Sequence, residues 1–201
     1  MDNKFPLPKA ELEAKIAAGA IDTVVVAMTD MQGRLVGKRL DANYFLSDVL
    51  KHGTEGCNYL LAVDVDMNTV PGYEMSSWDK GYSDLAMLPD LNTLRYIPWQ
   101  DGAALLLADV AWLDHTDVVA SPRQILKKQV KALADAGMKA MVGTELEFVV
   151  YNNTYEEAWS KGYKNLTPSN QYNVDYSILG GSRIEPLLRA IRLGMSGAGM
   201  N

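Results

Sequence analysis

A chain of 201 residues, 48% hydrophobic and 22% charged, has the material for one large or two small domains around a buried core. Its formal net charge of -6 and sequence pI of about 4.9 exclude a broad nucleic-acid surface, which needs concentrated basic charge. The single cysteine, Cys57, excludes an internal disulfide framework and fits a reducing compartment, where it reads as a buried structural thiol. No window approaches the roughly 18 apolar residues of a membrane span, and MDNKFPLPKAELEAKI has no apolar signal core. No membrane segment or signal peptide is therefore expected, and the chain reads as cytoplasmic.

PLPKAELEAKIAAGAI predicts an opening helix, with Pro8 at its start and Gly19 near its end. DTVVVAMTD is β-branched enough for a buried strand, and MQGRLVGKRLD follows as its hairpin partner across Gln32 and Gly33. NYFLSDVLKHG predicts a helix ended by Gly53. Residues 54–100 read as loop-rich, with Gly, Pro, Ser and Asp punctuating short extended pieces. AALLLADVAWLD again reads as a strand. Residues 22–114 thus outline a small sheet with one helix.

A second region begins near 116. Ser121, Pro122 and the shared face of Leu126, Gln129, Val130 and Leu133 predict a helix closed by Gly137. The next segment, GTELEFVVY, alternates as a strand: Val142, Thr144, Leu146, Phe148 and Val150 form one face. Glu145 and Glu147 sit on the other. At most one or two helical turns are expected around 153–161. Ile184, Leu187, Leu188, Ile191 and Met195 then mark an amphipathic helix.

Glu145 and Glu147 would lie about 6–7 Å apart on such a strand, and their repulsion disfavours joint ionisation. By periodicity alone they form the wet face of a half-exposed strand. The alternative is that they ligate a hard cation, since oxygen-rich sites suit Mg²⁺ or Mn²⁺.

Four stretches carry a resemblance: DMQGRLVGKRL, YSDLAMLPDLNTLRYIPW, SPRQILKKQVKALADAGMKAMVGTELEF and YSILGGSRIEPLLRAIRLGMSGAGM. Their order resembles the glutamine synthetase superfamily over nearly the whole chain. The resemblance implies an α+β fold, with an N-terminal β-grasp domain over 1–115 and the start of the α/β catalytic domain over 116–201. It implies one ligand to each of two divalent metals from Glu145 and Glu147, with Mg²⁺ or Mn²⁺ as cofactor and ATP as co-substrate. The implied reaction phosphorylates the γ-carboxylate of glutamate, and an amine then displaces phosphate to leave a γ-glutamyl amide.

The resemblance also places the amine side in the loop PGYEMSSWDKGYSD. Ammonia-using relatives carry Asp-Gly-Ser-Ser there; here Ser76 and Ser77 remain but Met75 precedes them. Ser76, Ser77, Trp78 and Asp84 are the implied substrate-binding residues, with Glu74 or Asp79 as substitutes for the absent aspartate. The pattern resembles the branch acting on polyamines or ethanolamine more than the ammonia-fixing enzymes. By itself the loop reads as a solvated turn with Trp78 packed under it. The family's remaining metal, nucleotide and glutamate ligands fall beyond residue 201, so no catalytic residue is assigned. A homo-oligomer with active sites shared between subunits is implied. The rival reading is a non-catalytic relative that serves assembly or regulation.

Overall fold

Five consecutive buried residues, Val24 to Met28, suit β1 (Thr23–Thr29) to an interior place in the sheet. Alternate side chains face opposite ways, so Val24, Val26 and Met28 enter the main core while Val25 and Ala27 pack with Ile97 and Ala103 on the other side. The computed structural model describes residues 5–79 and 81–200. It divides into two compact units, Met1–Ala140 with Ser196–Asn201, and Met141–Met195.

In the first unit, α1 (Lys9–Ala17) buries Leu12 and Ile16, one turn apart on the same helix face. β2 (Leu35–Asp41) runs antiparallel to β1, from Thr29 opposite Leu35 to Thr23 opposite Asp41. Gly37 is obligatory in this pairing, because a Cβ there would lie 2.0 Å from the Val26 carbonyl oxygen. The chain then turns into α2 (Ala42–Tyr44), capped by the Asp41 carboxylate, which accepts from the Tyr44 N–H at 2.9 Å. A π-helical turn over Phe45–Val49 follows, and α3 (Leu50–His52) ends at Gly53 with φ of +78°. Phe45 and Val49 are fully buried.

The sheet is completed by β3 (Thr54–Cys57), β4 (Asp84–Tyr96) and β5 (Ala103–Ala111), in the order β2-β1-β5-β4-β3. β1 and β5 are parallel; all other neighbours are antiparallel. The thirteen-residue β4 lies within the stretch that the sequence presents as loop. Its Pro89-Asp90 and Asn92 look like turn signals, yet the strand absorbs them in a bulge, where the register against β5 jumps between Asp90 and Arg95. Thr93 repairs the gap: its Oγ1 donates to the Asp90 carbonyl at 2.7 Å and accepts from the Leu107 N–H at 2.8 Å.

The predicted helix after Ser121 is α4 (Pro122–Asp135), with Pro122 in its first turn. No residue of α4 is buried, and Leu126 and Val130 are exposed. Ion pairs hold it instead. Arg123 bridges Asp90 and Asp109, the latter at 2.8 Å, and Lys127 reaches Asp109 at 2.6 Å. Burial alone would raise the Asp109 pKa, but Lys127 and Arg123 outweigh it and hold the carboxyl below its ordinary value.

In the second unit the expected strand does not form. Residues 141–150 carry no regular secondary structure, and 139–149 make no backbone hydrogen bond among the described residues. The physical reason is the lack of a neighbour: strand pairing needs a second backbone, and an isolated strand does not hold together in water. Its intended inner face is correspondingly bare, with Leu146 87% exposed. Pairing begins only where Tyr151 bridges Pro168. α5 (Tyr155–Ser160) starts with a reciprocal cap, Thr154 Oγ1 accepting from the Glu157 N–H and Glu157 Oε2 from the Thr154 N–H. α6 (Ile178–Ser182) and α7 (Glu185–Gly197) follow. Leu187, Ile191 and Met195 of the predicted amphipathic stripe remain exposed. No helix among the described residues is long and apolar enough to cross a membrane.

Candidate functional site

The loop between β3 and β4 is anchored at both ends by buried polar groups. Asp30, fully buried in the β1–β2 turn, accepts from the Gln32 and Arg34 N–H groups at 2.9 and 2.8 Å and from Arg34 Nε at 2.7 Å. Burial would raise the Asp30 pKa, but the Arg34 side chain and the two N–H donors outweigh it and hold it below its ordinary value. The same knot grips the loop, since Gln32 Nε2 donates to the Val63 carbonyl at 2.9 Å and Arg34 Nη2 to the Asp64 carbonyl at 3.2 Å. At the other end Asn58, also buried, donates to the Met75 carbonyl at 2.7 Å and to Ser83 Oγ at 3.2 Å.

Between these anchors lies a cavity of about 350 Å³, lined by Val70, Pro71, Ser76, Trp78, Asp79 and Tyr82 among others. Trp78 meets Tyr82 edge to face, with ring centroids 5.1 Å apart, and Tyr82 in turn meets Tyr59 at 6.0 Å. Ser76 is 3% exposed, and its Oγ has no hydrogen-bond partner. An unpaired buried hydroxyl costs free energy, so this one is available to a partner. Asp79, by contrast, is exposed.

Of the sequence-derived substrate residues, Ser76, Ser77 and Trp78 line this cavity together. Asp84 does not; it is exposed at the start of β4, opposite Cys57. Trp78 is 82% exposed, so it covers the loop from outside and is not packed beneath it. Tyr82 was not legible from sequence as a wall of the site, because its role arises from the ring contact with Trp78. Cys57 is half-buried, with Sγ 3.9 Å from Asn58 Oδ1, which gives a thiolate no cationic partner there.

Glu145 and Glu147 are both exposed and make no hydrogen bond or ion pair among the described residues. Free carboxylates of this kind suit a hard divalent cation, but two fall short of the octahedral set Mg²⁺ requires. Among the described residues no three His, Cys, Asp or Glu side chains gather closely enough to hold a metal ion. The pair fits as part of a donor set and not as the whole. Nearby, Phe148, Val149 and Val150 line an apolar cavity of about 550 Å³ together with Tyr172, Tyr176 and Leu188.

Residues 119–201 match the family model described as the glutamine synthetase catalytic domain. Over 99% of its length the chain is 62% identical to the gamma-glutamylethanolamide synthetase GlnA4 of Streptomyces coelicolor. Over 90% it is 32% identical to the glutamate–isopropylamine ligase of a Pseudomonas species. It spans 43% and 39% of those two proteins, less than half of each. Among solved structures, apo GmaS without ligand superposes with a TM-score of 0.64 at 17% identity, covering 96% of this chain and 40% of that one. A crystal structure of a novel glutamine synthase homologue gives 0.60 at 18% identity, over 89% of this chain and 39% of that one. Both likenesses bear on the mixed α/β fold alone. The motif order and the relatives agree along the chain: it is similar throughout to members of the glutamine synthetase superfamily, and residues 119–201 match that family's catalytic domain.

Proposed function

We propose that this chain carries part of an ATP-dependent glutamate–amine ligase whose acceptor is an organic primary amine. The observation supporting it is the 62% identity, across 99% of the chain, to a protein named for making gamma-glutamylethanolamide. In the first step the γ-carboxylate oxygen of glutamate attacks the terminal phosphorus of ATP, giving γ-glutamyl phosphate and ADP. In the second the amine nitrogen attacks the γ-carbonyl carbon, the C–O bond to phosphate breaks, and a proton leaves the nitrogen. Phosphorylation is needed because a carboxylate oxygen is not a leaving group.

Glu145 and Glu147 would hold Mg²⁺ or Mn²⁺ jointly with ligands from outside these residues. Such an ion supplies charge neutralisation at the phosphoryl oxygens. Ser76, Ser77 and Trp78 shape the amine side, and the cavity they line is about ten times the roughly 30 Å³ share of a water-sized ligand such as ammonium. The parallel β1–β5 pair flanked by antiparallel strands supports the β-grasp assignment. In this reading the enzyme is a cytoplasmic homo-oligomer whose active sites are shared between subunits.

A specific observation favours a second reading for the 201 residues taken alone, a non-catalytic assembly or regulatory module. It is the exposed apolar stretch around Leu146 and Phe148, a surface suited to assembly. Phosphate release with ATP, glutamate, Mg²⁺ and an amine panel separates the two. The 201-residue chain should be silent, and a longer protein containing it should turn over organic amines in preference to ammonium. Turnover by the chain alone, or a preference for ammonium in the longer protein, would refute the corresponding part.

A further inference from the structure

We propose that the groove between α4 and the end of β5 binds a soluble phosphate monoester. Lys128 and Lys131 hold its phosphate, and Leu88, Ala111 and Val119 lie against its organic part. This goes beyond the ligase reading and does not depend on it. The cavity here has a volume of about 710 Å³, about twice that beside Ser76. One wall is a polar stripe: Gln124, Lys127, Lys128 and Lys131 are spaced 0, 3, 4 and 7, which puts them on one face of α4. Leu88 of β4, Ala111 of β5 and Val119 supply apolar wall.

The groove is fixed before any ligand arrives. Arg123 and Lys127 tie α4 to Asp109, and Gln124 Nε2 donates to the Val110 carbonyl at 3.4 Å and to Asp117 Oδ1 at 3.2 Å. Ala111 bridges Asp117, and the His115 N–H donates to the Trp112 carbonyl at 2.8 Å, so the turn after β5 closes on itself. These bonds also occupy the lining carboxylates. Asp109 accepts at both oxygens, from Arg123 Nε at 2.8 Å and from Lys127 Nζ at 2.6 Å, and Asp117 accepts from Gln124. The cations are not matched in the same way. Lys128 makes no hydrogen bond or ion pair among the described residues. Lys131 pairs with Asp135 one turn along the helix, but the two side chains are 73% and 64% exposed, and such a pair contributes little. Two ammonium groups on one helix face thus lack a firm counter-charge. A phosphate monoester carries about -1.5 to -2 charge at neutral pH and roughly three acceptor oxygens, which suits both. The apolar wall favours an ester over inorganic phosphate. The chain's net charge of -6 opposes docking on an anionic lipid surface, so the ligand is soluble.

The test is calorimetric and NMR titration of the 201-residue chain at low ionic strength, without ATP, glutamate or metal. The probes are phenyl phosphate, inorganic phosphate, benzyl alcohol and benzylamine. Phenyl phosphate should bind more tightly than the other three and move the backbone amide signals of Val119 and Lys128. Lys128→Gln and Lys131→Gln should each weaken it roughly fivefold, the upper range for an exposed charge pair, and added salt should weaken it in the parent. Both lysines are exposed, so both variants should melt with the parent, and misfolding does not confuse the result. Val119→Ser should weaken phenyl phosphate and leave inorganic phosphate as it was. Equal binding of inorganic phosphate and phenyl phosphate, tighter binding of benzylamine, or no loss in either lysine variant would overturn the assignment. Co-sedimentation with phosphatidic acid vesicles that Lys128→Gln abolishes would also overturn it, by making the groove a lipid site. None of these outcomes touches the ligase reading, which depends on phosphate release in the longer protein.

Discussion

Replacing Asp30 by Asn tests whether the knot under the β1–β2 turn holds the loop that walls the cavity. Asparagine keeps the shape, and its oxygen can still accept from the Gln32 and Arg34 N–H groups at the 2.9 and 2.8 Å positions. The other atom becomes an NH₂ facing Arg34 Nε, where a carboxylate oxygen accepted at 2.7 Å, so a charge-assisted bond turns into a donor–donor contact. Such a bond contributes about 1.5–3 kcal/mol. Arg34 keeps a 35% exposed side chain, so water takes up part of its loss, and a net destabilisation of roughly 1–2 kcal/mol is expected at neutral pH. The folded-state pKa of Asp30 lies below its ordinary value of 3.8. Its contribution is therefore fully present above that value and fades as pH falls through the lower, folded one. Urea melts of both proteins at pH 7 and near pH 3 should show the gap narrowing in acid. In the same variant the loop should exchange its amide hydrogens faster, because Gln32 and Arg34 grip Val63 and Asp64 beside Ala62 of the cavity wall. A gap under about half a kcal/mol at pH 7, the scale of a neutral surface change, or one unchanged in acid, would refute the reasoning.

Glu145→Gln and Glu147→Gln should each leave the melting temperature of the 201-residue chain unchanged, since both side chains are exposed. In a longer protein that contains the chain they should abolish turnover and shrink the rise in melting temperature on adding Mg²⁺ or Mn²⁺; normal turnover would make the pair surface decoration. Gly53→Ala should cost about 2 kcal/mol in urea melts, because φ is +78° and the new methyl would lie 2.9 Å from the Met87 carbonyl oxygen. Trp78→Ala should change stability by less than about half a kcal/mol, given its exposure, while weakening turnover of organic amines in a longer protein that contains the chain. Leu146→Ser should likewise leave stability unchanged and reduce self-association measured by light scattering.

What could be read from the residues follows the range of the forces involved. The opening helix, the β1–β2 hairpin and the stop at Gly53 are written in local signals, and all three are present. β4 was hidden because Pro89, Asp90 and Asn92 act locally as turn residues. Only a partner strand and the Thr93 bridge make a continuous strand of them. At 141–150 the error runs the other way: the alternation is a true strand pattern, but a strand is a relation between two backbones, and no partner is paired there. The order of motifs pointed to Ser76 and Trp78, whereas the unpaired state of the Ser76 hydroxyl and the corner made with Tyr82 needed coordinates.

The parallel pairing of β1 with β5 also sets a schedule for synthesis. Thr23 pairs with Ala103, and the difference of those numbers is 80 residues. At roughly 5–20 residues per second, β1 leaves the ribosome some 4–16 s before its second neighbour exists. During that interval β2 covers one edge, and the run VVVAM offers the other to any strand in reach. A strand that is interior in the finished sheet is thus, for a few seconds in each molecule's life, an edge strand, and that interval is when a nascent chain has most need of a chaperone.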